Sequence, residues 1–182
     1  VYRFIKNGVH FFTSDQNERD SIIKSSYANG VTFANLSANP NAFDPITGQF
    51  KYEGTSGKAF DKGTTGSALY RFYNSSNGDH LLTADVNEYN ALLKNGNGYA
   101  FEGISHNVST IAQLGMDKAN YRFFNVITGE HMITSDLNEV NSIITASVGG
   151  SYANNFDEAM KQNPLTGGWG YKFEGLVFYS AS

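Results

Sequence analysis

Three short blocks of residues recur in the same order three times along this 182-residue chain, and that repetition constrains the fold more than any other feature. The first block is aromatic–Arg–aromatic: Tyr2-Arg3-Phe4, Tyr70-Arg71-Phe72 and Tyr121-Arg122-Phe123. The second, G-x-H-x-x-T-x-D-x-N-E, occupies 8–18, 78–88 and 129–139. The third is aromatic–Glu–Gly: Tyr52-Glu53-Gly54, Phe101-Glu102-Gly103 and Phe173-Glu174-Gly175. Such a chain is three copies of one supersecondary unit. The repeats are 1–68, 69–119 and 120–182, within one domain over 1–182.

Turn residues between the first two blocks, SSNGD at 75–79 and NVITGE at 125–130, spell a β-hairpin. Asp15, Asp85 and Asp136 then stand three residues before Glu18, Glu88 and Glu139. That is capping-box spacing, and it predicts a short helix whose Glu reaches back to the cap. Leu137, Val140, Ile143 and Ile144 in the third unit, and Val86, Tyr89, Leu92 and Leu93 in the second, form an apolar stripe at helical spacing. The first unit offers mainly Ile22 and Ile23. The aromatic–Glu–Gly block reads as a returning strand. Extra residues at 35–50 and 151–170, rich in Asn, Gly and Pro, read as loop insertions. One copy lacks the apolar surface to close a core alone, so three are expected to share one. The predicted fold is mostly β with short helices (α+β). Its three hairpin–helix–strand repeats close around a pseudo-threefold axis, in a propeller-like or trefoil-like arrangement.

Composition removes several function classes. The absence of cysteine excludes thiol catalysis, disulfides and Cys-based metal sites. Thirteen Lys and Arg scattered among seventeen Asp and Glu leave no footprint for a phosphate backbone, so nucleic acid is not an expected partner. No stretch approaches the apolar length of a membrane span, so no membrane insertion is expected. The chain opens directly in strand-like sequence, which reads as a monomeric domain excised from a larger protein.

The pattern Y-R-F-x-N, then G-D/E-H-x-x-T, then Y/F-E-G resembles a bacterial repeat family of unknown function with the consensus YRFYN…TGDHFYT…E…YEG. Tyr70-Arg71-Phe72-Tyr73-Asn74, Gly78-Asp79-His80 and Thr128-Gly129-Glu130-His131 fit closely. The first unit departs, its turn shortened to Lys6-Asn7-Gly8-Val9 with no acid before the His. The resemblance implies a secreted or cell-surface location, in adhesins or as an appendage of hydrolases, and supplies no activity.

The recurring side chains read as scaffold. Arg3, Arg71 and Arg122 are matched by Glu53, Glu102 and Glu174, a residue set suited to partly buried guanidinium–carboxylate pairs. His10, His80 and His131 would supply imidazoles to a metal if they converged, but the simpler reading is one His per hairpin fixing its unit by hydrogen bonding. Ser14 and Ser135 near those His have Ala84 as their third equivalent, which argues against a nucleophile. Three similar carboxylates do not make the unlike pair that glycoside hydrolysis needs. The domain is therefore not expected to be an enzyme.

Function is expected on the segments that differ between copies. Asn41, Phe43 and Asp44 in the first insertion, and Asn154, Asp157, Asn163 and Trp169 in the second, mix amides, carboxylates and aromatic faces. That mixture suits sugar recognition. Trp169 has two readings, a platform for ligand or a plug between units. No cofactor is required, although Asp44 and Asp157 would suit calcium. The expected function is non-catalytic recognition of a cell-surface glycan, lectin-like and adhesive. The alternatives are a structural spacer of a long adhesin or a peptide-binding module, with a glycoside hydrolase behind both.

Overall fold

The computed structural model describes residues 1–59, 66–150, 152 and 155–181. Asn154 lies outside the described residues. The protein is mostly β, with three small three-stranded antiparallel sheets and a few short helices. In the first repeat β1 (Tyr2–Lys6) and β2 (Val9–Thr13) form a hairpin, α1 (Gln16–Ser26) and α2 (Phe33–Ala38) follow, and β3 (Lys51–Thr55) returns. The second has β4 (Ser67–Asn74), β5 (Asp79–Thr83), α3 (Val86–Asn95) and β6 (Tyr99–Val108). The third has β7 (Lys118–Asn125), β8 (His131–Thr134), α4 (Leu137–Val148), α5 (Phe156–Ala159) and β9 (Tyr171–Ser180). The sheet orders are β2-β1-β3, β5-β4-β6 and β8-β7-β9, so the Arg-bearing strand is central each time.

The aromatic–Glu–Gly block encodes a β-bulge. Arg3 pairs with Gly54 and Phe4 with Tyr52, leaving Glu53 as the extra residue, and Glu102 and Glu174 are skipped in the same way. A bulge re-aims one side chain, and here it turns each Glu toward the Arg of the central strand. The following Gly54, Gly103 and Gly175 take φ of 113°, 121° and 99°, a region that favours glycine.

The helices start where the spacing predicts, with a different division of labour at the cap. The Asp15 carboxylate accepts from the Asn17 and Glu18 amides, and Asp85 and Asp136 cap α3 and α4 likewise. The Glu does not reach back. The backbone N–H groups of Asp15, Asp85 and Asp136 donate instead to the hydroxyls of Thr13, Thr83 and Thr134, at 3.0, 3.0 and 3.1 Å. Those buried threonines replace the second half of the capping box and release Glu18, Glu88 and Glu139 for other partners. Thr134→Val is therefore expected to cost about 1–2 kcal/mol in urea unfolding, from one lost bond and one unpaired amide. An unchanged midpoint would mean that Glu139 can resume the cap.

Each repeat keeps a small cluster between its sheet and helix, centred on Phe4, Ile23, Leu36 and Tyr52 in the first, Phe72, Leu81 and Leu92 in the second, and Phe123, Val140, Ile143 and Phe173 in the third. A fourth cluster joins all three, with Phe12, Leu82 and Ile133 from equivalent hairpin positions packed with Leu69, Val108 and Phe178. The core is thus divided rather than single. Of the helical stripes, Val86, Leu93 and Leu137 stay exposed, because the short helices cover only a narrow strip of sheet. The insertions are more than loops: they form α2 and α5, and Leu36, Phe43 and Phe50 join the first repeat's core.

Candidate functional site

The Arg at the equivalent position of each repeat is gripped by two carboxylates. Its Nε meets the bulge Glu of its own repeat, at 3.1 Å for Arg3–Glu53, 2.8 Å for Arg71–Glu102 and 2.6 Å for Arg122–Glu174. Its terminal nitrogens meet the Glu released from a helix cap in another repeat. Arg71 forks onto Glu18 and Arg122 onto Glu88 at 2.8–2.9 Å, while Arg3 reaches Glu139 through one nitrogen at 2.9 Å. The two forked guanidiniums also donate to backbone carbonyls, Arg71 to Phe12 and Arg122 to Leu82. Burial pushes Glu18 and Glu88 up, but the Arg hydrogen bonds and charge, with the neighbouring Thr hydroxyls, hold both carboxyls below their ordinary range.

The histidines are joined to carboxylates in the same way. Asp79 is fully buried. It accepts from the His131 backbone N–H at 2.7 Å, lies 2.7 Å from His131 Nδ1, and takes the Tyr99 hydroxyl at 2.5 Å. Glu130, equally buried, takes the Tyr171 hydroxyl and places Oε2 3.5 Å from His10 Nδ1. Burial, then the carboxylate partner, pushes both phenols up. On the other side of each ring, Nε2 of His10, His80 and His131 lies 3.5, 3.6 and 3.9 Å from Glu53, Glu102 and Glu174.

The contact between the first and second repeats breaks this pattern. Val9 stands where the other repeats have Asp79 and Glu130, and Phe50 stands where they have Tyr99 and Tyr171. Carboxylate and phenol have been lost together, which leaves neither without its partner. The hairpin is also cut to the two residues Asn7 and Gly8, both at positive φ (53° and 83°), the geometry that suits the twist of a tight hairpin. Whereas His10 Nδ1, also without a hydrogen bond, has Glu130 Oε2 3.5 Å away, His80 Nδ1 is buried with no hydrogen-bond partner and no carboxylate beside it. Burial lowers its pKa, against the pull of Glu102. Beside it a cleft of about 460 Å³ opens, whose lining includes Lys6, Val9, Phe50, Tyr73 and His80 together with Glu18, Glu102 and Asn77. The longer turn of the second repeat instead bridges to the third, Asn77 Nδ2 donating to the Gly129 carbonyl at 2.8 Å.

The insertion residues do not gather around one site. Phe43 is half-buried against the first repeat's core, while Asn41 and Asp44 beside it are exposed. Asp157 lies in the first turn of α5 and Asn163 just beyond it, both exposed. Trp169 does not fill a gap between repeats: it is 59% exposed and forms a shallow depression with Asn141, Ser142, Thr145 and Ala146 of α4. The hydroxyls of Ser14 and Ser135 donate to the Ser105 and Ser56 carbonyls of other repeats. The sequence reading missed Tyr99, Tyr171, Phe50 and Lys6. A signal existed, since an aromatic ring always stands two residues before the third block and loses its hydroxyl only where the acid is missing.

Among the described residues no group of three or more His, Asp or Glu is arranged to hold a metal ion, and no helix is long and apolar enough to cross a membrane. No curated protein and no solved structure matches the chain. One family profile does, described as domain of unknown function (DUF5648), over residues 35–160 of the 182. That span starts after the first repeat's hairpin and covers Tyr52-Glu53-Gly54, all three blocks of the second repeat and the Arg and His blocks of the third. The chain therefore belongs to the DUF5648 family.

Proposed function

We propose that the domain is a non-catalytic, lectin-like recognition module for cell-surface glycan, carried by a secreted or surface-exposed protein, with its three repeats closed in a propeller-like ring around a pseudo-threefold axis. Closure is supported by the direction of the Arg contacts. The second repeat's Arg takes the first repeat's Glu, the third takes the second's, and the first takes the third's. Three separate sheets whose inner hairpin strands share one apolar cluster favour a propeller-like over a trefoil-like arrangement. Residues that hold such a ring are occupied in doing so.

The observation that carries the glycan reading is the Trp169 shelf. A largely exposed indole offers a flat apolar face, and Ser142 and Thr145 beside it offer hydroxyls, a combination that suits a pyranose ring. The Trp169 backbone is fixed there, its N–H donating to the Ala146 carbonyl and its carbonyl accepting from Asn125 Nδ2. Hydrolysis is disfavoured by the carboxylates. Glu18 and Glu102 share Arg71, and a carboxyl held below its ordinary range is a poor general acid.

The test is a glycan and peptide array probed with the intact domain and with Trp169→Ala. The expected result is selective glycan binding that the variant loses while its unfolding free energy in urea stays within about 0.5 kcal/mol of the parent, as for an exposed side chain. A folded domain that ignores every glycan would instead favour the spacer.

A further inference from the structure

We infer that the cleft between the first and second repeats is a second ligand site, selective for a sugar that carries a carboxylate, such as a uronic or sialic acid. The fold itself supplies the argument. At the other two contacts between repeats, a carboxylate, Asp79 or Glu130, is buried beside the His of the next repeat. At this contact alone the carboxylate is missing, and space has opened in its neighbourhood.

The charge balance changes in the same direction twice. Val9 removes one negative charge relative to Asp79 and Glu130. Lys6 adds one positive charge where the other repeats have Asn74 and Asn125. Arg71, Glu18 and Glu102 match the guanidinium and two carboxylates at the other contacts and so leave this difference standing. Lys6 has no carboxylate partner among the described residues, and its ammonium lies 5.5 Å over the Phe50 ring at the cleft. Relative to the other two contacts the cleft therefore has one carboxylate fewer and one ammonium more, while Glu18 and Glu102 of its lining are held by Arg71.

Size and wall chemistry point to a sugar. About 460 Å³ is in the range of small-ligand sites. Phe11, Phe50 and Tyr73 give it aromatic surface for the C–H face of a ring, and Asn77 gives an amide for hydroxyls. That the ligand is a sugar rests on the glycan reading above; that it is negatively charged does not.

The experiment titrates oligogalacturonate, sialyllactose, lactose and a Glu-rich peptide into the parent domain, Val9→Asp, Lys6→Gln, Trp169→Ala and the remote control Lys94→Gln, with unfolding curves for each. The acidic sugars are expected to bind the parent and Lys94→Gln alike and to bind Val9→Asp and Lys6→Gln at least about tenfold more weakly, as loss of a desolvated charge pair requires. Val9→Asp restores the carboxylate of the other contacts and so should fold. Lys6→Gln keeps the test valid if it does not. Unchanged affinity for acidic sugars in both variants overturns the inference, as does preference for the Glu-rich peptide. If acidic and neutral sugars bind alike and only Trp169→Ala abolishes both, this inference falls while the glycan reading stands. If no sugar binds at all, both fall.

Discussion

Arg122→Ala should destabilise the domain by about 3–5 kcal/mol, the cost of removing one partner from a buried, hydrogen-bonded charge cluster. The Arg122 side chain is only 8% exposed and serves three acceptors at once: Glu174 of its own sheet, Glu88 of the preceding helix, and the Leu82 carbonyl. Its loss strands two carboxylates that have no Lys or other Arg paired with them among the described residues. Lysine is not expected to rescue it, because one ammonium cannot span a bulge Glu on one side and a forked helix Glu on the other. The equivalent changes should rank with burial and geometry. Arg71 is 14% exposed with the same fork, whereas Arg3 is 18% exposed and meets Glu139 through a single nitrogen, so Arg3→Ala should cost least. Urea unfolding of the three variants gives the comparison, and equal costs would show that the forks add nothing to the pairs. Acid should erode the same term. Glu18 and Glu88 lie below their ordinary range in the folded state, so their contribution is complete above that range and is lost as pH falls through the lower folded value. In Arg122→Ala the Glu88 share of that acid sensitivity should disappear.

The repeat framework was legible because each block is a local device whose chemistry shows in residue types. Arg between two aromatics marks the central strand, Asp before the helix marks the cap, and Glu-Gly after an aromatic marks the returning strand. The partners were less legible. Glu18, Glu88 and Glu139 have capping-box spacing, and only the packing of one repeat against another shows that a buried Thr takes the cap and frees them for Arg. Spacing within a repeat cannot reveal a bond between repeats. The same holds for the cleft. Val9 and the short turn were visible as a departure from the pattern, but their consequence depends on which His they face. That is His80, in the next repeat, which shares the cleft with them. Trp169 shows the converse limit, since a lone Trp in a Gly-rich insertion carries no sign of whether its ring will be covered.

Asp79→Ala should cost roughly 3 kcal/mol, because it removes a buried acceptor from the His131 amide and ring and from the Tyr99 hydroxyl, and leaves the ring and the hydroxyl a 3.3 Å contact with each other. Tyr99→Phe should cost less, about 1 kcal/mol, since Asp79 keeps two of its three donors. The informative variant combines the two losses in the form that the first repeat already uses. Val9 and Phe50 show that acid and phenol can be absent together, so Asp79→Val with Tyr99→Phe should cost at least about 1 kcal/mol less than the sum of the separate changes. In the single valine variant a phenol is buried against methyl groups, and in the double variant an aromatic ring packs there without an unpaired hydroxyl. Denaturant unfolding of the full double-mutant cycle measures the coupling. Strict additivity would mean that Asp79 and Tyr99 act separately, and that the paired change in the first repeat is not a compensated one. Coupling of the expected sign would explain how one of three equivalent contacts could lose its buried carboxylate and open a cleft while the chain kept its fold.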